Sequence, residues 1–373
     1  MKRFAIIALL AVACAQEKPA PRAPTLPPTP TDSAERENLL EMTRGATITS
    51  RTGEVLLDFS VLRVIDGDPG SFWMNPPGDL PQSFTIALPA HSRIDKVGIR
   101  TVSHGGFTAG HVMFESSTDG KSFMPLITVK SADTDDAQWF EVKPIDATSI
   151  RVTATDGLLP GHDVRLDSVF AHGTEVEPPH PGDITGCWIV NGESARFERS
   201  GNRVTGVLNT GKEPIHFDGG LDGRAIRLSW IRGNDYGMSL LTVSPDGQHL
   251  NGLNWHEEAI PIFFDTSWFG DRKPCTGPAL AAFDVPMALL KRTGRFSLYD
   301  ASELPRLTKL PNVQFVSHEF RLGSAEENRR AAQQALDRLH LQGVAQGSDN
   351  PRQQPVTGVM RALYSAVDVE IRR

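Results

Sequence analysis

Apolar and polar positions alternate in short runs over residues 38–175, at 82–88, 94–101, 111–116, 139–142 and 149–155. Turn clusters such as Thr118-Asp119-Gly120 and Pro160-Gly161 separate the runs, and no helical period of useful length interrupts them. A period of two broken by regular turn signals predicts an antiparallel β-sandwich or barrel. The rhythm continues over 183–277. There Ser200-Gly201-Asn202, Leu221-Asp222-Gly223 and Ser244-Pro245-Asp246-Gly247 lie between apolar strands at 203–208, 224–230 and 239–243. Glycine and tryptophan recur together at 186–188, 252–255 and 268–270, which predicts a meander barrel with its four tryptophans in the core. The pattern then changes. Ser324-Ala325-Glu326-Glu327 reads as a capping box, and Ala332, Ala335, Leu336 and Leu339 follow at helical spacing until Gly343, the predicted stop. Apolar strands at 313–316 and 367–371 flank that helix, giving strand–helix–strand. The predicted fold class is mainly β and multidomain: a β-sandwich at 38–175, a small antiparallel barrel-like domain at 183–277, and a small α/β domain at 279–373.

The first residues follow another logic. Met1-Lys2-Arg3 is basic, and the ten residues from Phe4 to Ala13 are apolar. Ten residues fall short of the roughly 20 that span a bilayer but suit a signal peptide. Ala11-Val12-Ala13-Cys14 resembles a bacterial lipobox, whose cysteine becomes the lipidated mature N-terminus; with Ala11 where Leu is usual, plain secretion is the alternative. Residues 1–14 are therefore read as a signal peptide, and 15–37 as a linker. The stretch 16–33 holds six prolines and few large apolar side chains, so it prefers an extended spacer of about 3.1 Å per residue. Only Cys187 and Cys275 remain beyond Cys14, an even pair in a chain read as exported, and a disulfide between them is expected.

Composition narrows the function. Hydrophobic residues at 39% and charged residues at 22% are ordinary for a globular protein and exclude wholesale disorder. A net charge of −7 without a Lys/Arg block argues against nucleic acid as a partner. The sequence offers no G-x-S-x-G, zinc motif, P-loop or dinucleotide turn, and the residue four after His256 in His256-Glu257-Glu258 is Ile260, so it is not HExxH. No enzyme activity is expected.

Val64-Ile65-Asp66-Gly67-Asp68-Pro69-Gly70-Ser71-Phe72-Trp73, together with the runs at 81–88 and 94–99 and the hairpin Ser116-Ser117-Thr118-Asp119-Gly120-Lys121-Ser122-Phe123, resembles the discoidin, or coagulation factor 5/8 type C, domain. That resemblance implies a jelly-roll sandwich that binds glycans, or in some members lipid or protein, through loops at one end. It also implies a structural calcium held by Asp66, Asp68 and Ser71, with Asp167 as a further acidic ligand. Calcium takes six to eight oxygens, and carboxylates on either side of a glycine turn suit it. A self-capped Asx turn is the alternative. For the glycan, an exposed aromatic face with polar neighbours is required. The Gly-rich loop 103–110 offers His104, Phe107 and His111, whereas Trp73 and Trp139 are expected in the core.

Near the C-terminus, Ser317-His318-Glu319-Phe320-Arg321-Leu322-Gly323-Ser324, then Asn328, Gly347-Ser348-Asp349-Asn350-Pro351 and Val367-Asp368-Val369-Glu370-Ile371, resemble an OmpA-like peptidoglycan-binding domain. The stretch 291–299 has the look of its opening strand. In that family an Asp and a helix Arg grip the stem peptide, but here Phe320 and Ala335 stand in their places. Glu319 and Arg330 are the nearest substitutes, so the resemblance implies a degenerate domain that binds peptidoglycan weakly or not at all. Together these readings predict an exported, lipid-anchored envelope protein facing the periplasm or the cell surface, with a carbohydrate-binding module and an OmpA-like tail. A structural protein mediating protein contacts and an accessory subunit of a glycan-active enzyme are the alternatives.

Overall fold

The computed structural model describes residues 38–53, 59–68, 70–75, 80–102, 107–159, 164–222, 224–256, 266–276, 280–298, 303–319, 324–349 and 367–371. Cys14, the signal-like segment and the proline-rich stretch lie outside them, as do His104 and Phe320.

The first unit is a sandwich. Its larger sheet runs in the order β1 (Thr47–Arg51), β3 (Gln82–Arg100), β6 (Gln138–Gly157), β4 (Ala109–Ser117) and β5 (Met124–Lys130), with β8 (Ser168–Glu175) also on β3; β2 (Trp73–Met74) pairs with β7 (Arg165–Leu166). The separate runs at 82–88 and 94–101 are one long strand with register shifts where it turns from partner to partner, and 139–142 and 149–155 likewise join. Alternation buries Phe84, Ile86, Phe114, Ile150 and Val152 in the core, where Trp73 is also buried. Trp139 stacks on Phe170 at 5.2 Å instead of sitting fully inside.

The second unit is a closed eight-stranded barrel in sequential order: β9 (Gly186–Val190), β10 (Glu193–Ser200), β11 (Arg203–Asn209), β12 (Ile215–Asp222), β13 (Ala225–Arg232), β14 (Asp235–Val243), β15 (His249–His256) and β16 (Thr266–Lys273), with β16 closing on β9. Closure removes every sheet edge. The Cys187–Cys275 disulfide fastens that closing seam, since Cys187 lies opposite Lys273 on β16. Trp188, Phe197, Phe217, Trp230 and Trp268 fill the interior.

Trp255 corrects the expectation of four tryptophans inside the barrel. It faces outward with Leu253 and packs with Leu240, Ala225 and Phe269 into the same apolar cluster as the sandwich core. On a strand, residues two apart share a face, so β15 turns Leu250 inward and Asn251, Leu253 and Trp255 outward. Polar contacts lock the junction. Asn251 accepts from the Ile48 N–H and donates to the Ile48 carbonyl at 3.1 Å, capping the edge of β1. Ser60 and Ser267 hydroxyls meet at 2.5 Å, and Arg224 grips Glu175 with both of its guanidinium ends.

The third unit is a four-stranded sheet in the order β17 (Arg295–Leu298), β20 (Val367–Ile371), β18 (Val313–Glu319) and β19 (Gly343–Gly347), with helices α1 (Val285–Thr293), α2 (Leu304–Leu307) and α3 (Ala325–Arg338). Its core also reaches the barrel, through Ile231. An ion-pair network crosses here: Arg203 binds Asp218 of the barrel at 2.5 Å and Glu303 at 2.6 Å. Burial pushes Asp218 up to about 6.

Two expectations for this unit change. The stretch 291–299 is not a strand from its start, because α1 runs to Thr293. Asp284 caps that helix by accepting from the Met287 N–H, and Leu289 and Leu290 anchor it. The capping box at Ser324 forms in both directions, yet α3 ends at Arg338, before Gly343. Gly343 instead opens β19, parallel to β18. A Cβ there would lie 2.4 Å from the Phe315 carbonyl oxygen and 3.1 Å from Leu336, so the glycine serves close approach of strand and helix.

Candidate functional site

The described ends of β1, β2, β4, β6 and β7 gather at one end of the sandwich. Asn75 bonds both backbone groups of Val164, Leu158 N–H donates to the Thr108 carbonyl at 2.8 Å, and Arg165 N–H to the Phe107 carbonyl. Trp73 Nε1 reaches the Gly53 carbonyl at 3.4 Å. Thr108 bridges to Arg165. This lattice fixes where the side chains of the loop end project.

Phe107 stands out from this end, 46% exposed, and Leu159 is 49% exposed beside it, each two residues beyond the facing pair Ala109 and Gly157. Leaving two large apolar side chains in water at one corner costs free energy unless something covers them in use. Next to them, His111 Nδ1 lies 2.9 Å from Asp156 Oδ2, while the His111 N–H donates to Asp156 Oδ1 at 2.6 Å. The pair is half exposed. Gly110 makes it possible: a Cβ there would come within 2.6 Å of Asp156 Oδ1 and 2.8 Å of the Gly157 carbonyl oxygen. Phe107 and His111 thus lie four residues apart about the start of β4, and the facing end of β6 adds Asp156 and Leu159, which sequence reading missed. Their signal was available in the run Asp156-Gly157-Leu158-Leu159, an apolar pair just after an acidic residue and a glycine.

The calcium residues divide. Ser71 Oγ sits among four acceptors: Asp66 Oδ2 at 2.7 Å, Asp66 Oδ1 at 2.9 Å, the Asp68 carbonyl at 3.0 Å and the Arg63 carbonyl at 3.1 Å. A hydroxyl carries one proton, so it can satisfy one of them at a time. Asp66 is fully buried, and that burial, reinforced by Asp68, holds its carboxyl well above the usual carboxylate range. Four oxygens of a desolvated turn thus gather about the Ser71 hydroxyl, and Arg63, Asp66, Asp68 and Ser71 are the residues that would hold calcium, a cation that takes oxygen ligands. Bound there, the ion would neutralise the Asp66 charge and rigidify the turn. Asp68 would contribute through its carbonyl, because its carboxylate accepts from the Gly70 N–H at 2.9 Å. Asp167 is engaged elsewhere. Arg165 binds it through Nε at 2.6 Å and through a terminal nitrogen at 3.1 Å, and the same guanidinium lies 3.8 Å over the Phe72 ring. Burial raises the Asp167 carboxyl against that pull. Among the described residues, no three His, Cys, Asp or Glu side chains form a metal-sized group, so a calcium cage here would depend on backbone carbonyls.

In the C-terminal unit, Glu319 is buried at the end of β18, while Arg330 is exposed. Asn328, Ala332 and Leu336 form the buried stripe of α3. Two residues along an α-helix turn about 200°, which sets Arg330 on the opposite face. The structure does not bring Glu319 and Arg330 together. Asn328 donates to the Ser348 carbonyl at 2.7 Å and so ties the helix to the end of β19.

The F5/8 type C domain family model matches residues 48–162. No curated protein matches the chain. Similar solved structures include the C-terminal domain of a chitobiase from Bacteroides fragilis, at 22% identity over 36% of this chain and 97% of that one, with a TM-score of 0.34. A Clostridium perfringens module in complex with GalNAc-β-1,3-galactose has 21% identity over 36% and 98%, with a TM-score of 0.32. The family 32 carbohydrate-binding module of C. perfringens NanJ, in complex with galactose, has 20% identity over 35% and 94%, with a TM-score of 0.31. Over residues 48–162 the chain carries an F5/8 type C domain.

Proposed function

We propose that this is an exported cell-envelope protein that binds glycans through the loop end of its sandwich. The observation that carries this reading is Phe107, an exposed ring just before β4, the strand that carries the half-exposed His111–Asp156 pair within the F5/8 type C match. An aromatic face covers the apolar side of a sugar ring while planar polar groups fix its hydroxyls. The test is a glycan array probed with the full chain, with galactose followed by titration. Phe107→Ala should weaken binding on the order of tenfold, about 1.4 kcal/mol, with its melting temperature unchanged. Wild-type protein that bound no glycan would end this reading.

Calcium belongs to the same proposal as a structural ion in the Arg63–Ser71 turn. Adding calcium to chelator-treated protein should raise the melting temperature; at a hundredfold excess over Kd the gain is about 2.7 kcal/mol. Ser71→Ala should remove most of that rise. A melting curve indifferent to calcium would remove the site.

We read the chain as non-catalytic and held at the envelope by lipid on Cys14. Its support is the order of basic, apolar, small and cysteine residues followed by a proline-rich stretch. Among the described residues no helix is long and apolar enough to cross a membrane. For the C-terminal unit we propose an OmpA-like fold that no longer grips peptidoglycan. Purified sacculi should retain little of the full chain, and Arg330→Ala should change nothing, since that side chain points away from Glu319. Strong retention abolished by Arg330→Ala would show a working site.

A further inference from the structure

The junction between sandwich and barrel does not close completely. On the outer wall of the barrel, β15 and β16 present three facing pairs: Leu253 with Ser267, Asn251 with Phe269, and His249 with Asp271. Leu253 and Ser267 are wholly buried under the sandwich. Asn251 is the last residue held by β1, its amide spent on Ile48. Beyond it the two walls part into an open cleft of about 800 Å³, bounded by residues 48–53 of the sandwich on one side and by the outer wall of β15 and β16 with the Asn191-Gly192 turn on the other. That volume lies within the usual range of small-ligand sites.

Its walls are polar and fixed. The Arg51 guanidinium lies 3.5 Å over the Phe269 ring, which leaves the ring 9% exposed and holds the cation flat against the wall. Two residues further along the same wall, His249 Nδ1 and Asp271 Oδ1 are 3.0 Å apart, with the Asp271 side chain 81% exposed. Ser50 and Thr49 add hydroxyls from β1. An apolar ligand gains little here, because the one aromatic face is already covered. A simple anion would meet Asp271, and a simple cation would meet Arg51. A neutral molecule dense in hydroxyls suits both, since each hydroxyl can donate to the carboxylate or accept from the guanidinium, and planar charged groups make the stronger hydrogen bonds.

We infer that this cleft is a second saccharide subsite, built jointly by Arg51 of the sandwich and His249 and Asp271 of the barrel, and taking a segment of a neutral oligosaccharide. It rests on the glycan reading for its ligand class but not on the loop-end residues. Because half of it comes from the barrel, a sandwich alone would lack it.

The test compares four full-length proteins on one array of neutral oligosaccharides of one to six sugars: wild type, Phe107→Ala, His249→Ala/Asp271→Ala, and Ser50→Trp, which fills the cleft without touching the His–Asp pair. Melting temperatures confirm folding; the exposed positions of these side chains make large losses unexpected. The inference expects at least one oligosaccharide whose binding falls tenfold or more in both cleft variants, with galactose binding unchanged in them. Cleft variants that match wild type on every glycan would overturn it while leaving the loop-end site standing if Phe107→Ala still loses binding. Losses confined to the cleft variants would uphold the cleft and overturn the loop-end reading. Wild type that binds none of the array would overturn both.

Discussion

Trp255→Ala should lower the stability of the whole protein by about 3–5 kcal/mol, the usual cost of truncating a buried tryptophan. The indole is 2% exposed although it lies on the outside of the barrel. It belongs to one apolar cluster with Leu240 and Leu253 of the barrel and with Ile48, Val61, Leu62 and Ile86 of the sandwich. Truncation therefore opens a void at the junction and loosens both units. Calorimetry of the wild type should show sandwich and barrel melting together, and the variant should shift that joint transition downward. A fragment of residues 38–175 should be less stable than the same residues in the full chain, because it exposes the apolar surface that Trp255 and Leu253 cover. If the variant instead left one unit melting at its original temperature, the shared core would not be an energetic unit.

That junction was the least legible part of the fold. The alternation along β15 puts Leu250 on one face and Leu253 and Trp255 on the other, each among polar residues or glycine, which does not say which face is inside. Leu253 and Trp255 read equally well as barrel interior until closure of β16 on β9 fixes which way β15 turns. Local signals fared better. The Ser324 capping box lies entirely within four residues, and its two hydrogen bonds need nothing from elsewhere in the chain. The Asp66-Gly67-Asp68 turn is equally local, and Ser71 hydrogen-bonds Asp66 within it, whereas Asp167 is taken by Arg165. A strand period of two puts residues 165 and 167 on one side, so that ion pair could have been read from spacing alone. Arg330 could have been placed the same way: a helix that buries Asn328 and Ala332 must turn position 330 outward. The cleft could not be read at all, since Arg51 and Asp271 are separated by most of two domains and meet only across their junction.

Loss of the Cys187–Cys275 disulfide should be the other large effect, by a different route. The bridge spans 88 positions, and the chain-entropy model assigns a loop of that length about 4–5 kcal/mol. Its placement makes the constraint useful. A meander barrel pairs every strand with the next in sequence except the first with the last, and that closing pair, β9 with β16, has four registered positions ending at Cys187 and Lys273. Those positions are the contacts in the barrel with the greatest sequence separation, so they form against the largest loop-closure entropy. The bridge ties them at the open end. Cys275 is exposed, so mild thiol reductant should reach it in the folded protein. Cys187→Ser/Cys275→Ser should lower the urea midpoint strongly and raise the slope of the transition, because the unlinked unfolded chain exposes more surface. Trp255→Ala should lower the midpoint with the slope nearly constant, since it acts on the folded core. A double variant or reduced protein with an unchanged midpoint would show that β-sheet pairing alone keeps the barrel shut.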